Sequence, residues 1–220
     1  PPRSTLFPYT TLFRSREVHE ESLINYVKEL SRIGTGYLDM GDTPVCQGLF
    51  EGALAAVGAT LHGAESIARG EYDHVMTPGG GLHHARRDKS AGFSVFNDLA
   101  VAVRRLQRKY GYERVAVIDI DGHHGDGTQS IFNGERILTI SFHRYGAGFY
   151  PGTGAATDYG EGDGEGYAIN VPVPRCTPDE VYVPTYERVL QAALEAYRPE
   201  IIIHQFEPMR TTATSWWAWD

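Results

Sequence analysis

The chain has 220 residues, 41% hydrophobic and 22% charged, which is ordinary for a globular protein with room for one sizeable core. No apolar run approaches the roughly 20 residues that span a bilayer, so no membrane association is expected. A formal net charge of −8 argues against nucleic acid as a direct partner and is compatible with cationic substrates such as lysine peptides or polyamines.

Residues 1–15 (PPRSTLFPYTTLFRS) contain a near-repeat, STLF then TTLF, without helical or alternating period and without a signal-peptide pattern. They are expected to be a non-native artefact outside the fold. From 17 to 33, Leu23, Ile24, Val27, Leu30 and Ile33 recur at helical spacing and Gly34 supplies a stop. Residues 47–68 predict a longer helix whose Ala and Gly content allows close packing on a sheet, closed by Gly70. Residues 73–77 (DHVMT) read as a short strand leading into the loop Pro78-Gly79-Gly80-Gly81. Three successive glycines are costly to order, so such a loop generally serves unusual dihedrals or a close backbone approach. His83 and His84 follow at once. Residues 94–110 predict a helix with Phe96, Leu99, Val103 and Leu106 on one stripe and Gly111 past its end. It would join two parallel strands as a right-handed β-α-β unit.

Residues 115–129 read VAVIDIDGHHGDGTQ. The apolar half predicts a strand buried on both faces, as in a parallel sheet flanked by helices. Side chains alternate along a strand, so Asp119, Asp121 and His123 project to one side at its carboxyl end, where open α/β sheets place their ligand crevice. A single Asp or His in such a place is usually a cap or a turn former. Three carboxylates and two imidazoles in eight positions are different, because assembling them without a metal or counter-charges costs several kcal/mol. Asp121 and His123 have the spacing to supply half of a zinc site. Further strands are expected at 136–142, 167–171 and 200–204, with a glycine-rich loop before the second of these. Thr177-Pro178-Asp179-Glu180 reads as a capping box opening a helix that runs to about Tyr197. Two cysteines, Cys46 and Cys176, in unrelated settings point to reduced thiols and a cytoplasmic protein.

Three segments carry a resemblance: PGGGLHHARRDKSAGFSVFNDLAVA (78–102), VIDIDGHHGDGTQSIF (117–132) and SFHRYGAGFYPGTG (141–154). They closely resemble the zinc-dependent histone deacetylase family, which includes bacterial acetoin-utilisation proteins and acetylpolyamine amidohydrolases, over residues 18–205. The resemblance implies a three-layer arginase/deacetylase-like α/β fold with a central, mostly parallel sheet, incomplete on its C-terminal side. It implies an amidohydrolase that removes acetyl or other acyl groups from lysine side chains, with an acylated lysine peptide or an acetylated polyamine as partner. His84 matches the general base and acid and His83 its electrostatic partner. Asp119 and Asp126 match the carboxylates that orient them, and Asp121 and His123 match two zinc ligands. Phe93 and Tyr150 match an aromatic pair flanking the acyl-lysine methylenes, and Gly92 offers a carbonyl to the substrate amide. A structural potassium ion is implied at Asp119, Asp121, His123, Ser141 and Phe142, partly through backbone oxygens.

The chain departs from the family after His204, where a Gly-Ala-Asp type segment would bring the third zinc ligand, an Asp, and a later Tyr would polarise the substrate carbonyl. It reads FEPMRTTATSWWAWD instead. Codons for Glu-Pro-Met-Arg read two bases on permit Ala-Asp-Ala, so residues 206–220 are expected to be a frameshifted tail. With two ligands alone zinc would be held weakly, and the polypeptide as written is expected to be inactive or nearly so. A catalytically dead acyl-lysine binder is the competing expectation. An arginase-like two-metal site is disfavoured because Gly125 stands where that pattern needs Asp.

Overall fold

The computed structural model describes residues 7–207, which divide into two compact units after Tyr112. The described part of the first unit contains the helices α1 (Phe7–Ser15), α2 (Glu21–Ile33), α3 (Leu49–Ala68) and α4 (Asp98–Tyr110), with α3 packed against the other three. Leu23, Ile24 and Val27 of α2 are buried, as their spacing predicts. Gly34 ends that helix at φ 81, its N–H returning to the Leu30 carbonyl. Helix α4 is fixed at both ends: the Asn97 side chain accepts the Ala100 N–H at 2.9 Å, and Gly111 turns out at φ 75.

Two expectations fail here. Residues 7–15, read as lying outside the fold, form α1: the Ser15 hydroxyl bonds the Thr11 carbonyl at 3.0 Å, both residues are buried, and Arg14 pairs with Glu17 at 2.7 Å. Residues 1–6 of the same stretch lie outside the described residues. The strand expected at 73–77, and with it the β-α-β unit through α4, does not form. A strand needs a neighbour to take its backbone N–H and C=O groups. Val75 and Thr77 instead lie on α3 at Gly63, where an added Cβ would come within 2.9 Å of Val75 Cγ1. The small residues of α3 thus accommodate an irregular segment at this point.

His19 ties the segment after α1 to the loops around α4. Its Nδ1–H donates to the Arg86 carbonyl at 2.8 Å and its Nε2 accepts the Asn97 N–H at 2.9 Å. The ring is buried, 5.3 Å from that of Phe96.

The second unit holds β1 (Val115–Asp119), α5 (Asp126–Phe132), β2 (Leu138–Arg144), β3 (Ala168–Val173), α6 (Asp179–Tyr197) and β4 (Ile201–Gln205). The strands form one parallel sheet in the order β3-β2-β1-β4. Parallel strands need crossovers: α5 lies between β1 and β2, a glycine-rich loop between β2 and β3, and α6 between β3 and β4. Every residue of β1 is buried. Ala116, Ile118, Leu138, Ile140 and Phe142 form the core of one face, covered by Tyr182, Tyr186, Leu190 and Leu194 of α6. The Phe142 ring lies 5.1 Å from that of Tyr186. The expected capping box is absent: the Thr177 hydroxyl donates back to the Pro174 carbonyl at 2.8 Å, and Pro178 takes the cap position without a side-chain bond. Cys46 and Cys176 are free and exposed. No described helix is long and apolar enough to cross a membrane.

Burial lowers the His19 pKa to about 4, so the unfolded chain binds this proton near pH 6.5 and the native state only near pH 4. Stability is therefore expected to fall by about 3 kcal/mol as pH drops through that window. His19→Gln should flatten the slope in urea unfolding followed between pH 7 and pH 4; an unchanged slope refutes the assignment.

Candidate functional site

In the first unit the glycine loop is held from beneath by Asp98, the first residue of α4. Its Oδ1 accepts the N–H of Leu82 at 2.7 Å, and its Oδ2 accepts the Gly81 N–H at 3.0 Å and the Thr60 hydroxyl at 2.6 Å. Desolvation raises the Asp98 pKa against these bonds. Gly80 closes on the same group, since a Cβ there would lie 2.6 Å from Asp98 Oδ2 and 2.5 Å from the Thr60 hydroxyl. Asn97 Nδ2 donates to the Ala85 carbonyl at 3.1 Å, and the Ser94 hydroxyl accepts the His84 N–H at 3.3 Å. The outcome is a fixed pair of imidazoles: His83 and His84 are both buried, their ring centroids 4.0 Å apart. Gly92 and Phe93 form the tip of a tight turn in this unit, with the Phe93 ring largely exposed.

In the second unit the site grows from the carboxyl ends of β1 and β4. Asp119 accepts the Asp121 N–H at 3.0 Å, and Asp121 Oδ1 accepts the His123 N–H at 2.7 Å. His123 Nδ1 lies 3.1 Å from the same Asp121 oxygen. The imidazole stacks on Phe149 at 4.9 Å, with Tyr150 edge-on at 6.1 Å. Asp119 and Gln205 are paired across β1 and β4, and the Ile120 N–H continues the ladder to the Gln205 carbonyl at 3.0 Å. Asp121 and Glu207 each lie two residues past the end of their strand. One ligand atom from each of Asp121, His123 and Glu207 lies within 4.8 Å of the others.

Behind this cluster two neutral imidazoles are locked in single tautomers. His143 Nε2–H donates to the Gly154 carbonyl at 2.9 Å while Nδ1 accepts from the Ser141 hydroxyl at 3.0 Å. His124 Nε2–H donates to Gln129 Oε1 at 2.8 Å, an oxygen that also accepts from Asn170, so Nδ1 accepts from the Thr153 hydroxyl. Burial, then the neighbouring His124, lower the His143 pKa to about 4. Gly154, at φ 92, has no space for a side chain, since a Cβ would come 2.4 Å from His143 Nε2. A cavity of about 10 Å³, the size of one water or a bare monovalent ion, is lined by Asp119, Thr128, Gln129 and Ser141. Asp126, buried, opens α5. Phe142 turns its ring to α6, which leaves only its backbone for an ion.

The structure thus brings Asp121 and His123 together, with Tyr150 near them. His83, His84, Gly92 and Phe93 belong to the first unit. Glu207, Asp98 and Asn97 were missed by the sequence reading. Glu207 could have been found from the equal polarity of two adjacent strands, and Asp98 from an acid at the start of an otherwise apolar helical face.

The sequence pattern of the histone deacetylase domain matches residues 10–206. The chain is 35% identical to histone deacetylase 8 of Danio rerio over 195 residues, 85% of this chain and 51% of that protein. It is 39% identical over 165 residues to the acetoin utilization protein AcuC of Bacillus subtilis, covering 74% and 42% of the two chains. It is 38% identical over 191 residues to a probable deacetylase of Archaeoglobus fulgidus, covering 84% and 51%. Among solved structures, the HD domain of HDA15 superposes with a TM-score of 0.80 at 33% identity, over 87% of this chain and 56% of that one. The chain therefore spans about half the length of the curated relatives it matches.

Asp98→Ala strands the buried Thr60 hydroxyl and the half-buried Gly81 and Leu82 N–H groups and is expected to cost about 3 kcal/mol in urea unfolding. Asp98→Asn, which keeps an oxygen for Leu82, should cost less; equal losses would show that the volume of the side chain matters and its acceptors do not.

Proposed function

The chain belongs to the histone deacetylase family, and on that premise we propose that it carries the metal-binding and proton-transfer residues of an amidohydrolase that removes acyl groups from lysine side chains. The observation that supports this most directly is the convergence of Asp121, His123 and Glu207 at the ends of two neighbouring parallel strands. Two carboxylate oxygens and one imidazole nitrogen are a donor set that fits Zn²⁺, leaving a fourth position open. When bound there, zinc lowers the pKa of a coordinated water and polarises the substrate carbonyl.

The protein's own groups supply the remaining chemistry. His84 accepts the proton of the attacking water on an imidazole nitrogen and delivers it to the leaving amine, with His83 as its electrostatic partner. Asp119 and Asp126, both buried, are the acids that the family resemblance assigns to orienting the two histidines. Phe93 and Tyr150 flank the acyl chain, and the Gly92 carbonyl accepts the substrate amide N–H. The small cavity beside Asp119 and Ser141 supports a potassium ion held by those side chains and by backbone oxygens of Asp121, His123 and Phe142. Acylated lysine peptides are the proposed substrates, with acetylated polyamines as the smaller alternative, in a cytoplasmic setting.

Calorimetric titration should find one zinc ion per chain, with Asp121→Asn, His123→Ala and Glu207→Gln each weakening it beyond the roughly 10–100-fold typical of groups that only support ligands. Unchanged affinity in Glu207→Gln overturns its place as third ligand. In a chain active on an acetyl-lysine peptide, His84→Ala should lower kcat by roughly 10²–10⁴-fold with zinc binding intact; a kcat within tenfold of the parent overturns the proton-transfer role.

A further inference from the structure

Phe93 is an unusual residue on grounds of backbone alone. It sits at φ 63 behind Gly92 at φ 53, in a two-residue turn closed by Ala91 N–H to the Ser94 carbonyl at 3.1 Å and Ser94 N–H to the Ala91 carbonyl at 2.8 Å. Positive φ at both central positions is the mark of a type I′ turn, which favours Asn-Gly or Gly-Gly. An aromatic residue there costs roughly 1–2 kcal/mol. Burial does not repay it, since Phe93 is 72% exposed.

What holds the residue comes from the loop before α3. The Phe93 N–H donates to the Thr43 hydroxyl oxygen at 3.0 Å. Thr43 is 2% exposed, and its own hydroxyl proton is given to Asp39 Oδ2. The other Asp39 oxygen accepts three consecutive backbone N–H groups, those of Gly41 and Asp42 at 3.1 Å and Thr43 at 3.0 Å. A bridge between Tyr37 and Pro44 closes the loop around them. Partial burial works against the Asp39 charge, but the bonds from Thr43, Asp42 and Gly41 outweigh it and keep the carboxyl below the ordinary carboxylate range. One carboxylate thus fixes a loop and aims a hydroxyl whose remaining lone pair meets the Phe93 amide.

We infer that Thr43, oriented by Asp39, is a positioning residue that holds Phe93 in its left-handed conformation and so presets the aromatic wall offered to the acyl chain. This rests on the reading of Phe93 given under the proposed function. Without the Thr43 oxygen the Phe93 amide loses this acceptor, and the turn is free to relax towards conformations that an aromatic residue prefers. The wall would then have to be ordered by each incoming ligand.

Amide hydrogen exchange on the full chain reads the clamp without any activity. Thr43→Val, of equal shape but lacking the hydroxyl, should speed exchange at Phe93 about tenfold, the loss of one ordinary hydrogen bond, while amides in α3 and α4 keep their rates. Thr43→Ser should restore protection. Parental exchange at Phe93 in Thr43→Val, or equal loss in Thr43→Ser, overturns the inference. Binding of a peptide carrying Nε-acetyl-lysine supplies the second readout. Thr43→Val should weaken it in the parent and leave it unchanged in a Phe93→Ala background, because the effect passes through that ring. Equal weakening in both backgrounds also overturns the inference. If Phe93→Ala alone leaves peptide binding untouched while the exchange result holds, the acyl-chain reading of Phe93 falls and the clamp on its backbone stands.

Discussion

The parallel pairing of β1 with β4 is the constraint on which the rest of the second unit depends. Hydrogen bonds between parallel strands fix which residues stand level, and here they set Asp119 beside Gln205. Both strands run in the same direction, so their chains leave the sheet at the same edge. Asp121 and Glu207, two residues past those ends, are thereby carried out at the same end of the sheet. Asp121 and Glu207 are brought within coordination range of His123 by this geometry. The energy comes from the buried face of the sheet, where Ile118, Ile140 and Phe142 are covered by α6. Packing on one side thus supports the mutual repulsion of charges at the end of the strands.

The first unit solves a different problem, that of giving rigid form to a loop made of glycine. Three glycines carry no side chains with which to pack, so their order is imposed from outside. Asp98 does this by accepting the N–H groups of Gly81 and Leu82, and Asn97 by bonding the Ala85 carbonyl while capping α4. Both are the opening residues of a helix whose remaining inner face is apolar. One helix start therefore serves as cap, loop anchor and support for the two imidazoles that follow. A buried carboxylate in this role is costly to desolvate, and its hydrogen bonds offset that cost.

Much of this was legible in the chain. The run from Val115 to Asp119 announced a buried strand because every position was apolar until the acid, and Asp121 and His123 followed at the spacing of a metal site. Gly34 and Gly111 marked helix ends because only glycine easily turns left-handed there. Other features were hidden for identifiable reasons. The segment 73–77 has strand-like residues, but strand formation is decided by a partner that local sequence does not reveal. Thr177 had the right spacing for a cap, and a nearby carbonyl at Pro174 competed successfully for its hydroxyl. The helix at Phe7–Ser15 lacks amphipathic period and is held by Ser15, Arg14 and Glu17. The approach of Glu207 to Asp121 and His123 could not be seen from the sequence, because it depends on the pairing of β1 with β4 and on no short-range pattern.

The left-handed backbone of Phe93 also restricts what can succeed it. Valine, isoleucine and threonine are nearly barred from such dihedrals by their branched β-carbon, whereas asparagine and glycine enter them readily. Replacement by asparagine or glycine would relieve the backbone and lose the ring, whereas a branched aliphatic residue would strain it further. Diversification of this surface would have to proceed through neighbouring positions whose main-chain geometry is more permissive.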